Sequence, residues 1–118
     1  PAPGQASDAI AESVDLYPTL AELCGLKLPQ GLDGESLVPI LRDPQAHGKQ
    51  AAYGFWPGRI TMRTDRYRLV AYDDGRAGQP QFELFDHQQD PLETRNVAED
   101  HPEVVERLEN QIKPRMIR

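Results

Sequence analysis

Arg59-Ile60-Thr61-Met62-Arg63-Thr64-Asp65-Arg66-Tyr67-Arg68-Leu69-Val70-Ala71-Tyr72 is the stretch whose reading decides the fold class. Ile60 and Met62 alternate with polar neighbours, the two-residue period of a strand with one buried face. After Asp65-Arg66 a run of aromatic, β-branched and apolar residues resumes through Tyr72. Two such runs separated by two residues read as a hairpin, although Asp-Arg is not the favoured Asn-Gly pair and leaves the turn type open. Working outward, Ala51-Ala52-Tyr53-Gly54-Phe55-Trp56 is a further extended run that ends at Pro57-Gly58. On the other side the loop Asp73-Asp74-Gly75-Arg76-Ala77-Gly78 leads to a last strand, Gln81-Phe82-Glu83-Leu84-Phe85-Asp86. Four strands in succession with short connections predict an antiparallel meander.

Beyond the strands, Val104, Val105, Leu108 and Ile112 form a helical stripe, with Asp100 and Glu103 placed as a box-like cap. This helix should cover one face of the sheet. Pro114 should end it and leave the last residues frayed. Before the strands the pattern is helical instead. Leu16, Leu20, Leu23 and Cys24 share one stripe, Asp15 can cap the segment, Pro18 is tolerable in its first turn, and Gly25 supplies the stop. A short helix after Ser36 should end before Asp43-Pro44. The polar stretch 45–50 between the two halves reads as a subdomain boundary.

The whole chain has 118 residues, with 13 Lys and Arg against 19 Asp and Glu and a formal charge of −6. That length fits about one domain with a modest core. With 11 Pro and 9 Gly, an ordered but loop-rich chain is expected. The acidic balance and the absence of a basic cluster argue against nucleic acid as a partner. No apolar run approaches the roughly 18 residues of a membrane span.

Candidate chemistry is sparse. Cys24 is the single cysteine, and its place on the apolar stripe predicts a buried thiol acting as a small hydrophobe. His47, His87 and His101 are spaced too far apart to act as a helical ligand pair, and each reads as a solvated residue. The carboxylates of Asp73-Asp74, Asp86 to Asp90 and Glu99-Asp100 fall on turns, where Asp accepts local backbone hydrogen bonds, and none shows the ligand order of a calcium loop. Tyr53-Gly54-Phe55-Trp56-Pro57-Gly58-Arg59 is the most suggestive stretch. Aromatic rings, glycines and a guanidinium can build a wall that recognises a sugar face or an anion, or can simply pack at a strand end.

Several spaced motifs resemble one family. Val14-Asp15-Leu16-Tyr17-Pro18-Thr19-Leu20, Leu23-Cys24-Gly25-Leu26 and Gly31-Leu32-Asp33-Gly34-Glu35-Ser36-Leu37 look like the segment that follows the active-site core of type I sulfatases. Arg63-Thr64-Asp65-Arg66-Tyr67-Arg68-Leu69, Phe82-Glu83-Leu84-Phe85-Asp86 and Asp90-Pro91-Leu92-Glu93-Thr94-Arg95-Asn96-Val97-Ala98 resemble the family's closing sheet and the acidic loop before its last helix. The flavour is that of the iduronate-2-sulfatase-like branch.

The resemblance implies an α+β architecture within the alkaline-phosphatase-like superfamily, a small four-stranded antiparallel sheet packed with a C-terminal helix. Residues 1–46 would be the end of the large α/β domain and 47–118 the closing subdomain. It also implies a parent enzyme that hydrolyses sulfate esters of saccharides with a formylglycine and calcium, and that is exported or lysosomal. Neither group is expected on this chain. The formylglycine signature is Cys/Ser-x-Pro-x-Arg, whereas Cys24 is followed by Gly25-Leu26-Lys27-Leu28, and Asp73-Asp74 belongs to a hairpin loop rather than to the family's metal site. The chain would thus lack a catalytic centre, partner the catalytic domain, and offer Tyr53, Trp56 and Arg59 as rim residues of the substrate pocket. Its uncovered apolar stripe would favour self-association.

Two other classes compete. A noncatalytic module binding carbohydrate or protein would share the same aromatic stretch. Leu32-Asp33-Gly34-Glu35-Ser36-Leu37 also resembles a carrier-protein site with phosphopantetheine on Ser36, but Glu35 replaces the expected Asp and Pro39 interrupts the helix that should follow.

Overall fold

The computed structural model describes residues 3–72 and 81–116. The loop anticipated at 73–78, with Asp73-Asp74, and the fraying anticipated at 117 and 118 lie outside the described residues. In chain order the elements are a 3-10 turn (Ser13–Asp15), helices α1 (Leu16–Leu23) and α2 (Val38–Arg42), strands β1 (Ala52–Trp56), β2 (Arg59–Arg63), β3 (Tyr67–Tyr72) and β4 (Gln81–Asp86), and helix α3 (Pro102–Met116). Two compact units result, Pro1–Ala52 and Tyr53–Arg118.

In the second unit the strands form one sheet in the order β1-β2-β3-β4, the expected antiparallel meander. Ile60 pairs with Ala71, Met62 with Leu69, and Leu69 with Leu84, so one sheet face is continuously apolar. Onto that face α3 lays Val104, Leu108 and Ile112, all buried. Met62, Leu69, Leu84 and Ile112 are fully enclosed, and each contributes roughly 2 kcal/mol of transfer free energy.

The Asp65-Arg66 turn resolves without a positive φ, since Glu93 is the non-glycine residue that takes one among the described residues. Thr64 closes the turn instead. Its amide donates to the Tyr67 carbonyl at 2.8 Å, and its hydroxyl oxygen accepts the Tyr67 amide at 2.9 Å. At the β1–β2 turn Gly58 supplies φ 70 after Pro57.

The loop into α3 closes the outer edge of β4. Asn96 Oδ1 accepts the Leu84 amide at 3.0 Å and the Ala98 amide at 2.9 Å, and Val97 donates to the Leu84 carbonyl at 2.8 Å. The edge is thereby covered by a side chain imitating a strand. Three local expectations change in this unit. Asp86, expected on a solvated turn, is buried and held by a two-pronged Arg66 guanidinium at 3.0 and 2.7 Å. Asp100 does not form a box with Glu103; it accepts from Arg95 at 2.7 Å, and the first helical amides donate to the His101 carbonyl. Helix α3 also runs past Pro114 to Met116, because a missing amide in the last turn costs one exposed hydrogen bond.

The first unit is organised by polar groups rather than by a large core. Asp15 is fully buried, and its carboxylate accepts the Glu12 amide at 2.7 Å, the Glu35 amide at 2.9 Å and the Lys49 ammonium at 2.6 Å. It therefore ties three distant segments together instead of capping α1. Thr19 adds a second tie, donating to the Asp15 carbonyl at 2.6 Å and accepting the Leu37 amide at 2.8 Å. Gly34 allows this approach, since any Cβ there would strike the Val14 carbonyl. At the other end of α1, Gly25 takes φ 68, its amide donates to Glu22, and Leu26 donates to Ala21, a Schellman closure.

Helix α1 buries Pro18, Thr19 and Ala21. The predicted stripe faces outward: Leu16, Leu20 and Leu23 are 57%, 61% and 59% exposed, and nothing in this unit covers them. Cys24 is exposed as well, against the expectation of a buried thiol, because it occupies the C-cap position rather than the packed side of the helix.

Candidate functional site

Strand alternation sends every second residue of the sheet to the face opposite α3. β2 presents Arg59, Thr61 and Arg63 there, β3 presents Arg68, Val70 and Tyr72, and β4 presents Glu83 and Phe85. A cavity of about 540 Å³ opens on this face, with Trp56 and Pro57 at one end and Glu93 at the other.

Most of the charged groups on the face are held in place. The Arg59 guanidinium lies over the Tyr72 ring at 5.0 Å. The Tyr72 hydroxyl donates to Glu83 at 2.5 Å, and this acceptor together with burial pushes the Tyr72 phenol above its ordinary range. Arg68 pairs with Glu93, which also meets His87 Nε2 at 2.5 Å, so His87 is not merely solvated. Glu93 reaches into the face from the loop after β4 by taking a φ of 56, a conformation that non-glycine residues adopt at a cost. The guanidinium groups of Arg59, Arg63 and Arg68 thus share the face with the carboxylates of Glu83 and Glu93, a locally positive patch on an acidic chain.

Trp56 is placed by Gly54. A Cβ at position 54 would stand 2.9 Å from the Trp56 ring and 2.9 Å from the Thr61 methyl, so the bare glycine leaves room for the indole to lie back over the strand. The ring remains 64% exposed and available for stacking.

Of the three residues anticipated as a rim, Trp56 and Arg59 come together on the cavity, since they flank the two-residue β1–β2 turn. Tyr53 does not join them. It sits three residues before Trp56 in the same strand, so it faces α3, where the Arg115 guanidinium covers its ring at 4.0 Å. The alternation was available in the sequence and separates the two rings. Arg68, Tyr72, Glu83 and Glu93 escaped the sequence reading. Their convergence follows from the hairpin register and, for Glu93, from a backbone conformation that composition does not advertise.

The face can stack and bind anions, but it carries no nucleophile beside a base. Among the described residues no group of three or more His, Cys, Asp or Glu side chains could hold a metal ion. Cys24 belongs to the other unit and is not set in a formylglycine signature. The described residues therefore fit neither calcium nor formylglycine. Ser36 accepts the Val38 amide at 3.2 Å and precedes a five-residue helix in a sheet-containing chain, which is not a carrier-protein bundle.

Comparison with known proteins places this architecture. The family described as N-sulphoglucosamine sulphohydrolase, C-terminal, matches residues 2–118. Arylsulfatase K of Xenopus laevis is 33% identical over 125 residues, covering 94% of this chain and 23% of the relative. A solved structure in complex with its substrate D-glucosamine-2-N,6-O-disulfate superposes with a TM-score of 0.72 at 26% identity, covering 93% of this chain and 25% of the other. A Bacteroides thetaiotaomicron structure from work on the metabolism of multiple glycosaminoglycans gives 0.66 at 28% identity, covering 80% and 24%. The chain spans about a fifth of the length of the curated relatives it matches. It belongs to the sulphohydrolase C-terminal family, and its sheet and closing helix are those of sulfatases in the alkaline-phosphatase-like superfamily.

Proposed function

We propose that the chain is the C-terminal part of a sulfatase hydrolysing sulfate esters of saccharides, in which it completes the fold and shapes the rim of the substrate pocket. Within that enzyme, residues 1–46 end the large α/β domain and residues 47–118 form the closing subdomain. The formylglycine and calcium come from the rest of the polypeptide, so the chain by itself binds without turning over. The observation that carries this reading is the convergence of Trp56 and Arg59 on one open cavity of a sheet that the family match assigns to sulfatases. Trp56 would stack on a sugar ring, and Arg59 would receive a carboxylate or a second sulfate. Tyr53 would act one step removed, fixing β1 through its stack with Arg115.

The substrate class is drawn from the neighbour solved with a disulfated glucosamine and from the motif resemblance to the iduronate-2-sulfatase-like branch. In the complete enzyme carrying this segment, Arg59→Ala should lower kcat/KM on an acidic sulfated saccharide by roughly tenfold or more. An unchanged kcat/KM on every sulfated saccharide would overturn the rim assignment. A noncatalytic carbohydrate- or protein-binding module is the second reading, favoured by a cavity that has no nucleophile. Full-length enzyme that releases sulfate normally after the cavity is filled by Val70→Trp would favour it.

A further inference from the structure

We propose that Arg63 and Arg68 form a second oxyanion subsite on the open sheet face, so that this face takes an acidic oligosaccharide rather than a single sugar. The inference rests on the rim reading of Trp56 and Arg59 and extends it along the strands. Arg63 and Arg68 stand directly opposite each other in the β2–β3 register. Two like charges in that position repel unless an anion lies between them. Among the described residues only one of the pair is neutralised: Arg68 has Glu93, while Arg63 has no carboxylate partner. Each also keeps a guanidinium nitrogen, Arg63 Nη1 and Arg68 Nε, that is shut off from solvent and has no hydrogen-bond acceptor. Buried donors without acceptors are rare and costly. A bound oxyanion, with small rotations of the two side chains, would satisfy both in the forked geometry that guanidinium groups favour.

The spacing sets the ligand. Arg59 and Arg63 are four residues apart on one strand, about 13 Å at the usual rise of an antiparallel strand. The two ends are not free to converge, since Arg59 is stacked on Tyr72 at 5.0 Å and Arg68 is tied to Glu93. A ligand that engages both ends needs acidic groups on different rings, with its intervening sugars over Val70 and Phe85.

The test uses the 118-residue chain, titrated with a sulfated glucosamine-containing disaccharide and the corresponding tetrasaccharide while backbone amide shifts are followed by NMR. The tetrasaccharide should bind at least about tenfold more tightly than the disaccharide, through two linked contacts, and should move amides at both ends of β2. Arg68→Gln should bring its affinity down to that of the disaccharide and abolish the shifts at residue 63. Arg63→Gln should do the same, and Arg68→Gln carries the test alone if that variant loses its dispersed spectrum. Equal affinities, or a tetrasaccharide indifferent to Arg68→Gln, would overturn the second subsite and leave the rim reading standing. Failure of both ligands to bind, or disaccharide binding that survives Arg59→Ala and maps away from Trp56, would overturn both.

Discussion

Asp15 shows how much one side chain organises. Burial alone would raise its pKa, but the Lys49 ammonium and the amides of Glu35 and Glu12 outweigh that effect and hold the carboxyl below the ordinary carboxylate range. A group whose folded pKa is depressed contributes stability that is present above its unfolded value of about 3.9 and is lost as pH falls through the folded value. The first unit should therefore weaken below about pH 4, and Asp15→Asn should flatten that acid limb. At neutral pH the same substitution should cost about 2 kcal/mol, because Lys49 loses its fully buried partner while keeping Glu12 at 2.8 Å. Urea denaturation at pH 7 and in the acid range checks both statements. Asp86 and Asp90 are also held low, by Arg66 and by the Arg95 amide respectively, so some acid sensitivity of the second unit should survive the substitution. In the sequence, Asp15 and Gly34 read as parts of two separate motifs. That one closes on the other, with glycine required beneath the Val14 carbonyl, is a long-range fact that local pattern does not carry.

The strands and the closing helix were the most legible elements. A two-residue period in β2, a short gap and an apolar run in β3 left few alternatives, and the stripe Val104, Leu108, Ile112 announced the face that α3 would cover. What the pattern could not supply was the way the ends are finished. The 64–67 turn depends on a threonine hydroxyl rather than on turn-forming residues in the loop, and the β4 edge is closed by a side chain ten residues further on. Asn96→Ala should remove an acceptor from the Leu84 amide and cost about 1 to 2 kcal/mol. Hydrogen exchange at Leu84 should accelerate by roughly tenfold, while exchange at Leu69 in the central strand changes little. The same alternation that predicted the sheet also separates Tyr53 from Trp56, so the rim trio could have been divided from strand parity alone.

At the scale of the whole molecule, the first unit leaves several of its large apolar side chains exposed. Among the described residues Pro18, Ala21, Val38 and Ala51 are its enclosed apolar side chains, while Leu16, Tyr17, Leu20, Leu23 and Leu26 are each more than half exposed. A contiguous apolar stripe of this kind marks an interaction surface. In the proposed enzyme it meets the large domain. In the chain alone it should drive self-association, which light scattering across a range of concentrations will register as a rising mean mass. Leu20→Glu should lower that mass, and a monomer at high concentration would argue against the stripe as a contact. Cys24, beside the stripe and exposed, should react readily with a maleimide in dilute folded protein and more slowly as association covers it.

In the proposed function this polypeptide helps build a sulfatase pocket but does not contain the reactive groups. Sulfate release from an aryl sulfate and from a sulfated glucosamine saccharide, measured on the purified chain freed of other hydrolases, tests it most directly. No release above the buffer rate is expected, whether or not calcium is added. Sustained turnover proportional to the amount of chain would contradict it.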